Sequence, residues 1–295
     1  MKSLRTLQRL VLAVCLSATF ASSASAAPQN ARPIVHLIAI GDSDVGDIGR
    51  YVGEDARNTT AAFQQAFEQA GKSHQLNSIL ILGGEVREKA IRRRIENLKV
   101  GPYDTIVLLY SGHGHTDQNQ QHRLNFSHDA GSMRRADMLA LLKSKNARLT
   151  VLLTDVCSGY GRNSALPVVP SVETKQPRNL RPAQVIDWRT IDSLFLKHAG
   201  VIDITAAEPG YNAQVNFPNV GSHFTNALLD LLKVPYVDLV AGLDRDQDGA
   251  VQWDEVLPQL RGDAAQRDTR RASSRSQQAY SWSMGRWKPT GIVAP

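Results

Sequence analysis

Residues 149–160, LTVLLTDVCSGY, decide how this chain is read. An apolar run ends abruptly in Asp155-Val156-Cys157, and Ser158-Gly159 break it. Residues 104–115, DTIVLLYSGHGH, have the same build: an apolar run, a small-residue turn, then His113. Runs of this kind are expected of strands covered on both faces in a parallel sheet. Functional groups of open α/β sheets gather beyond the carboxyl ends of such strands, where both residues fall. Cys157 and His113 are therefore the candidate thiolate–imidazole pair. A neighbouring imidazole favours the thiolate and can later protonate a leaving amine. The amides of Gly114 and Cys157 are candidates for holding an oxyanion. His115 competes for the base role, and the glycines on either side of His113 favour His113. A lone Cys or His is more often a core or turn residue; two of them at strand ends argue otherwise.

The rest of the chain supplies the setting. Its 295 residues are enough for a full-sized core. Lys2, Arg5 and Arg9 precede an apolar run over residues 10–20, followed by Ala24-Ser25-Ala26. This is the pattern of a secretory signal over residues 1–26, too short in its apolar part to span a bilayer, and it predicts export with no stable membrane span after cleavage. The signal carries three of the positive charges, so the formal +6 becomes +3 without it. From Arg261 onward six Arg and one Lys face two Asp, a surplus of five, which leaves the middle of the chain at −2. The basic character thus belongs to the ends and argues against a nucleic-acid partner. Of the two cysteines, Cys15 leaves with the signal, and Cys157 then has no partner for an intramolecular disulfide.

Between these landmarks, apolar runs at residues 34–40, 78–82, 105–110, 149–154 and 201–206 read as strands. Helical spacing covers residues 54–70, 86–98, 134–143, 188–198 and 222–232. The Arg92-Arg93-Arg94 run reads as a solvated helix face. Strands alternating with helices predict an α/β fold with a mainly parallel central sheet. Residues 158–186 contain four prolines and no apolar period, a long loop of the kind that is functional or mobile.

Residues 244–255, DRDQDGAVQWDE, fit the twelve-residue EF-hand loop. Asp244, Asp246 and Asp248 stand at positions 1, 3 and 5, Gly249 at the turn, the Ala250 carbonyl at 7, Gln252 at 9 and Glu255 at 12. The expected cofactor is Ca2+, held in one short helix-loop-helix over residues 241–260. With no second loop to pair with, it reads as a structural clamp rather than a sensor. The tail, residues 261–295, is basic and then aromatic; it either docks back on the domain or extends freely.

Tyr110-Ser111-Gly112-His113-Gly114, followed some forty residues later by a strand ending in Asp155-Val156-Cys157-Ser158-Gly159, resembles the core of caspase-like cysteine peptidases, nearest to the metacaspases and their bacterial relatives. Glu54-Asp55-Ala56, Ile204-Thr205-Ala206-Ala207-Glu208 and residues 221–228 (GSHFTNAL) continue the likeness in order. The resemblance implies a caspase-like three-layer sandwich over residues 27–240, with Cys157 as nucleophile and His113 as general base. It also implies an acidic S1 pocket at Asp55, Ser111 and Asp155 that takes a basic P1 residue of a protein or peptide substrate. A monomer is favoured. Loop 158–186 lies where relatives are often processed. Two departures qualify the likeness. Ser158-Gly159 follow Cys157 directly, where the family usually has one more residue, which leaves a non-catalytic, calcium-stabilised binding module as the alternative. Asp117, Asp129 and Asp137 are isolated, so no interior calcium site is assigned to them.

Overall fold

The computed structural model describes residues 32–128, 131–160, 186–207, 210–215, 221–269 and 280–281. The expected signal and most of the 158–186 loop lie outside these residues. In chain order the elements are β1 (Val35–Gly41), α1 (Gly49–Gln69), β2 (Leu76–Leu82), α2 (Glu88–Asn97) and β3 (Thr105–Ser111). Three short strands follow, β4 (Gly114–Thr116), β5 (His122–Asn125) and β6 (Ser132–Arg134), then α3 (Arg135–Lys143) and β7 (Leu149–Asp155). The remainder is α4 (Trp188–Ile191), β8 (Gly200–Thr205), α5 (His223–Leu232), α6 (Tyr236–Leu243), α7 (Trp253–Thr269) and β9 (Tyr280–Ser281).

The main sheet has the order β2-β1-β3-β7-β8-β9; the first five strands are parallel and β9 is antiparallel. Strand alternation builds a core on each face. Val35 and Leu37 of β1, Val107 and Leu109 of β3, and Val151 and Leu153 of β7 pack with Phe63 and Phe67 of α1, Phe224 of α5 and Val256 of α7. The intervening Ile38, Ile40, Ile106, Leu108 and Leu152 pack with Ile91 of α2 and Met138 of α3 on the other side. The strands read as unbroken apolar runs because both pleat faces are buried, each such side chain contributing roughly 1.5–3 kcal/mol. This is the expected three-layer α/β sandwich. Pairing is in register at the rim, with Gly41 opposite Ser111 and Ser111 opposite Asp155, so the loops after β1, β3 and β7 leave from one level.

Several elements differ from the sequence reading. α1 starts at Gly49, five residues earlier than expected, because Ile48 and Val52 find buried partners in the fold. In the loop ahead of it, Asp42 is fully buried and accepts bonds from Ser127 N and Oγ at 2.9 and 2.6 Å. The helix expected over 188–198 is one α turn that widens into a π turn over Asp192–Leu196. The stretch between β3 and α3 forms a second, antiparallel sheet, β4-β5-β6, of strands too short to show a period. The second helix of the expected helix-loop-helix, α7, runs through Pro258 to Thr269, past the expected end at 260. Proline cannot donate to the carbonyl four residues back, and here the Asp254 carbonyl accepts from Arg245 Nη2 at 2.6 Å instead. The tail docks in part, since Tyr280 and Ser281 pair with Thr205 and Ile204 at the β8 edge. The basic helix behaves as expected, with Arg93 and Arg94 exposed and Arg92 and Arg94 paired to Glu88 and Glu85.

A buried ion pair ties the layers together. Arg135 of α3 meets Asp203 of β8, both under a tenth exposed, and Arg135 Nε donates to Thr154 Oγ1 at 2.7 Å. Substituting Arg135→Met leaves the Asp203 carboxylate buried without its cation and is expected to destabilise by about 3–5 kcal/mol. The double variant Arg135→Met/Asp203→Leu should recover most of that loss in denaturant unfolding.

Candidate active site

Two strand ends supply the groups. β7 ends in Asp155, and Cys157 follows two residues later; β3 ends in Ser111, and His113 follows by the same interval. The two segments are bonded on either side of that pair: Gly112 N donates to Asp155 O at 3.2 Å and Thr116 N to Gly159 O at 2.8 Å. Thr116 Oγ1 adds a bond to Ser158 O at 2.8 Å. Gly114 packs so closely here that an added Cβ would lie 2.8 Å from Cys157 O. Asn125 N donates to His113 O at 2.9 Å, so by strand alternation the amide of Gly114 faces away from β5, as Thr116 N does, toward the Cys157 segment.

Cys157 is 3 % exposed, and its Sγ donates to Ala213 O at 3.7 Å. Burial pushes the thiol up to about 12, and the charges of Asp155 and Asp47 push the same way. In this resting arrangement the sulfur is a thiol, not a thiolate. His113 Nε2 pairs with Asp47 Oδ1 at 3.0 Å. The competing ring of His115 is buried and engaged through Nδ1 with Asn125 Oδ1 at 3.0 Å. A third ring, His122, donates from Nε2 to Cys157 O at 3.0 Å; burial draws it down to about 4, so it stays neutral.

Beside the thiol lies a cleft lined by Ser111, Gly112, Asp155, Cys157, Ala213 and Ser222, among others. Ser111 and Asp155 of the expected pocket line it, and Asp55 joins them through Ser111 and Ser222. Ser111 Oγ donates to Asp55 Oδ2 at 2.7 Å and Ser222 N to Asp55 Oδ1 at 2.9 Å. Asp155 Oδ2 accepts from the Ser222 hydroxyl, from Thr225 N at 3.0 Å and from Thr225 Oγ1 at 2.7 Å. Both acids are almost fully buried, and neither has an ion-pair partner among the described residues. Burial, reinforced by the Asp155 charge, raises the Asp55 carboxyl to about 7; burial also raises Asp155. Asp55 sits in the second turn of α1. Gly221, at φ +106°, brings its backbone so near that a Cβ would lie 2.8 Å from Asp55 Oδ1.

The sequence reading missed Asp47, Ser222, Thr225 and the 210–215 segment. Ser222 had a signal, an N-cap serine before an apolar helix, and its Oγ does accept from Thr225 N. Asp47 was one of several acids in an Asp-rich loop with nothing to single it out.

In the expected calcium loop, carboxylate oxygens of Asp244, Asp246 and Glu255 lie within 4.8 Å of one another. Asp248 stands outside that trio, bonded through Oδ1 to Ala250 N and through Oδ2 to Gln252 Nε2, both at 2.8 Å. Glu255 is buried, and Gly249 makes the turn at φ +81°. The loop is tied inward: Ser193 Oγ donates to Val251 O and Trp253 Nε1 to Leu194 O, each at 2.8 Å, and Trp253 packs edge-on against Phe195.

A parallel sheet between helical layers, with Cys and His beyond neighbouring strand ends, is the arrangement of a caspase-like protein. The family model described as the caspase domain matches residues 52–248, and the chain belongs to that family. It is thus a caspase-like cysteine peptidase domain in its general class, a kind that acts on protein substrates. Among solved structures, protein GSU0716 from Geobacter sulfurreducens is similar at 12% identity and TM-score 0.46, over 85% of this chain and 93% of that one. No curated protein matches the sequence significantly. No described helix is long and apolar enough to cross a membrane.

The raised Asp55 carboxyl makes a stability prediction. Between its ordinary 3.8 and about 7 the folded chain binds a proton there that the unfolded chain releases, so this group's stabilising share is lost as pH rises through that window. Asp55→Asn should therefore melt close to wild type near pH 4 and above it at pH 8, by scanning calorimetry.

Proposed function

We propose that the chain is an exported cysteine endopeptidase that cleaves after Arg or Lys. Cys157 Sγ attacks the carbonyl carbon of the P1 residue, passing its proton to His113. The amides of Gly114 and Cys157 hold the oxyanion, and the imidazolium then gives its proton to the leaving amine. Water hydrolyses the resulting thioester with His113 as base. The observation that carries the specificity is the pair of buried carboxylates beside the thiol with no cation paired to them among the described residues. Buried charge is ordinarily paired, and a guanidinium matches a carboxylate in both charge and fork geometry. Entry of that cation offsets the burial of both acids and replaces the Ser222 hydroxyl as their link.

We assign Ca2+ to the loop held by Asp244, Asp246, Asp248, the Ala250 carbonyl, Gln252 and Glu255. An all-oxygen donor set around a buried glutamate fits a hard cation of this kind. When bound, the ion supplies positive charge that neutralises the clustered carboxylates. Its place is that of a clamp, because Val251 and Trp253 lock the loop to the core beside α1.

A second reading has an observation of its own: the resting thiol is protonated and covered by Ala213, which suits a non-catalytic binding module. An Arg-directed fluorogenic peptide, assayed with calcium on wild type and Cys157→Ala, decides between them; turnover in wild type alone supports the peptidase, and matched background in both supports the module. In an active enzyme, Asp155→Asn should raise KM for Arg peptides roughly 10- to 100-fold, the loss of about 1.5–3 kcal/mol from a charged hydrogen bond. Calcium at a hundredfold excess over its Kd should stabilise the chain by about 2.7 kcal/mol, and Glu255→Gln should abolish that gain in a thermal melt.

A further inference from the structure

His113 is the one member of the proposed pair whose ring is held by a group outside the strand ends. Its backbone is fixed by Asn125 N donating to His113 O, while the side chain, 28 % exposed, reaches across to the loop between β1 and α1. There Nε2 lies 3.0 Å from Asp47 Oδ1. The same oxygen accepts from Ile48 N at 2.9 Å, so the carboxylate is itself oriented by the backbone just ahead of α1. Burial opposes ionisation of Asp47, yet the charge of His113 and the bond to it outweigh that and hold the carboxyl below its ordinary value. An ionised carboxylate is an acceptor only, so Nε2 must carry the ring proton in this bond. In the neutral ring Nδ1 then keeps its lone pair, and it has no hydrogen-bond partner among the described residues.

We propose that Asp47 is a positioning residue for His113, its carboxylate holding the imidazole in the Nε2–H tautomer so that Nδ1 is left as the base; this rests on the peptidase reading above. The proton leaving Cys157 Sγ goes to Nδ1, giving thiolate and imidazolium, and the same nitrogen later returns a proton to the leaving amine. Asp47 takes no proton in either step; it orients the ring and stabilises the imidazolium. Its charge also reaches the thiol of Cys157. The other charged groups facing this ring are Asp42 at the end of β1 and, beyond it, His128, paired with Asp44 at 2.7 Å. Asp42 is satisfied by Ser127 and makes no bond to His113, so the orienting role falls to Asp47 alone among the described residues.

A half-exposed ion pair without such a role contributes little and could be removed without consequence. The test uses the full chain as Asp47→Ala, Asp47→Asn, Asp47→Glu and Cys157→Ala, with an Arg fluorogenic peptide and long-range proton–nitrogen NMR of the His113 ring. Asp47→Ala is expected to lower kcat roughly 10- to 100-fold with KM unchanged, and to shift the ring from Nε2–H toward a mixture of tautomers. Asp47→Glu should restore part of both. Asp47→Asn keeps an acceptor for Ile48 N without the charge, and serves if the alanine variant does not fold. Wild-type kcat in the folded Asp47→Ala or Asp47→Asn protein, or an unchanged tautomer in folded Asp47→Ala, overturns the proposal. Equal background from wild type and Cys157→Ala would instead overturn the peptidase reading, and the NMR arm would still decide whether Asp47 sets the tautomer.

Discussion

The parallel pairing of β3 with β7, Ser111 opposite Asp155, is the constraint from which the site follows. Two residues further on, each strand has released one reactive side chain, and the bonds from Gly112 to Asp155 and from Thr116 to Gly159 keep the released segments together. A slip of one residue would turn every side chain of β7 to the other face. Leu149, Val151 and Leu153 would leave one core, and Leu152 the other. The rim geometry is therefore enforced by the burial of both faces of the sheet, far from any reacting atom.

That rigidity is used to hold groups in states they would not choose. Asp55 and Asp155 are buried close together with no cation paired to them among the described residues, and Cys157 is buried as a thiol under Ala213. Ser222 bonds to both acids at once, and its neighbour His223 donates from its amide to Gln214 O at 3.0 Å. The acid pair and the segment over the sulfur are thus joined through two adjacent residues at the start of α5. Polar groups buried at this expense to stability mark a site shaped for something other than folding.

The acidic loop of residues 244–255 joins the same framework from the opposite end of the chain. Val251, Trp253, Val256 and Leu257 belong to the core that includes α1 and α5, and Trp253, Phe195 and Phe63 form a chain of edge-on rings leading to α1. The loop therefore packs, through these rings, against the helix that carries Asp55.

Much of this was written in the order of residues. Apolar runs and helical spacing specified an α/β sandwich because burial on two faces leaves a period that can be read locally, and Asp155-Val156-Cys157 and Gly112-His113-Gly114 stood out because a strand end is where such residues have chemical use. The start of α1, the second small sheet and the continuation of α7 through Pro258 were not legible, since each depends on a partner distant in the chain: a buried contact for Ile48, a neighbouring short strand, a guanidinium from Arg245. Asp47 and Ser222 were hidden for the same reason. The sequence by itself determined which side chains are available and on which elements they travel. Only the tertiary structure decided that Asp47 meets His113, that Ser222 bridges two acids and that Ala213 covers the thiol, because hydrogen bonds of this kind depend on distances across the fold, which no local pattern encodes.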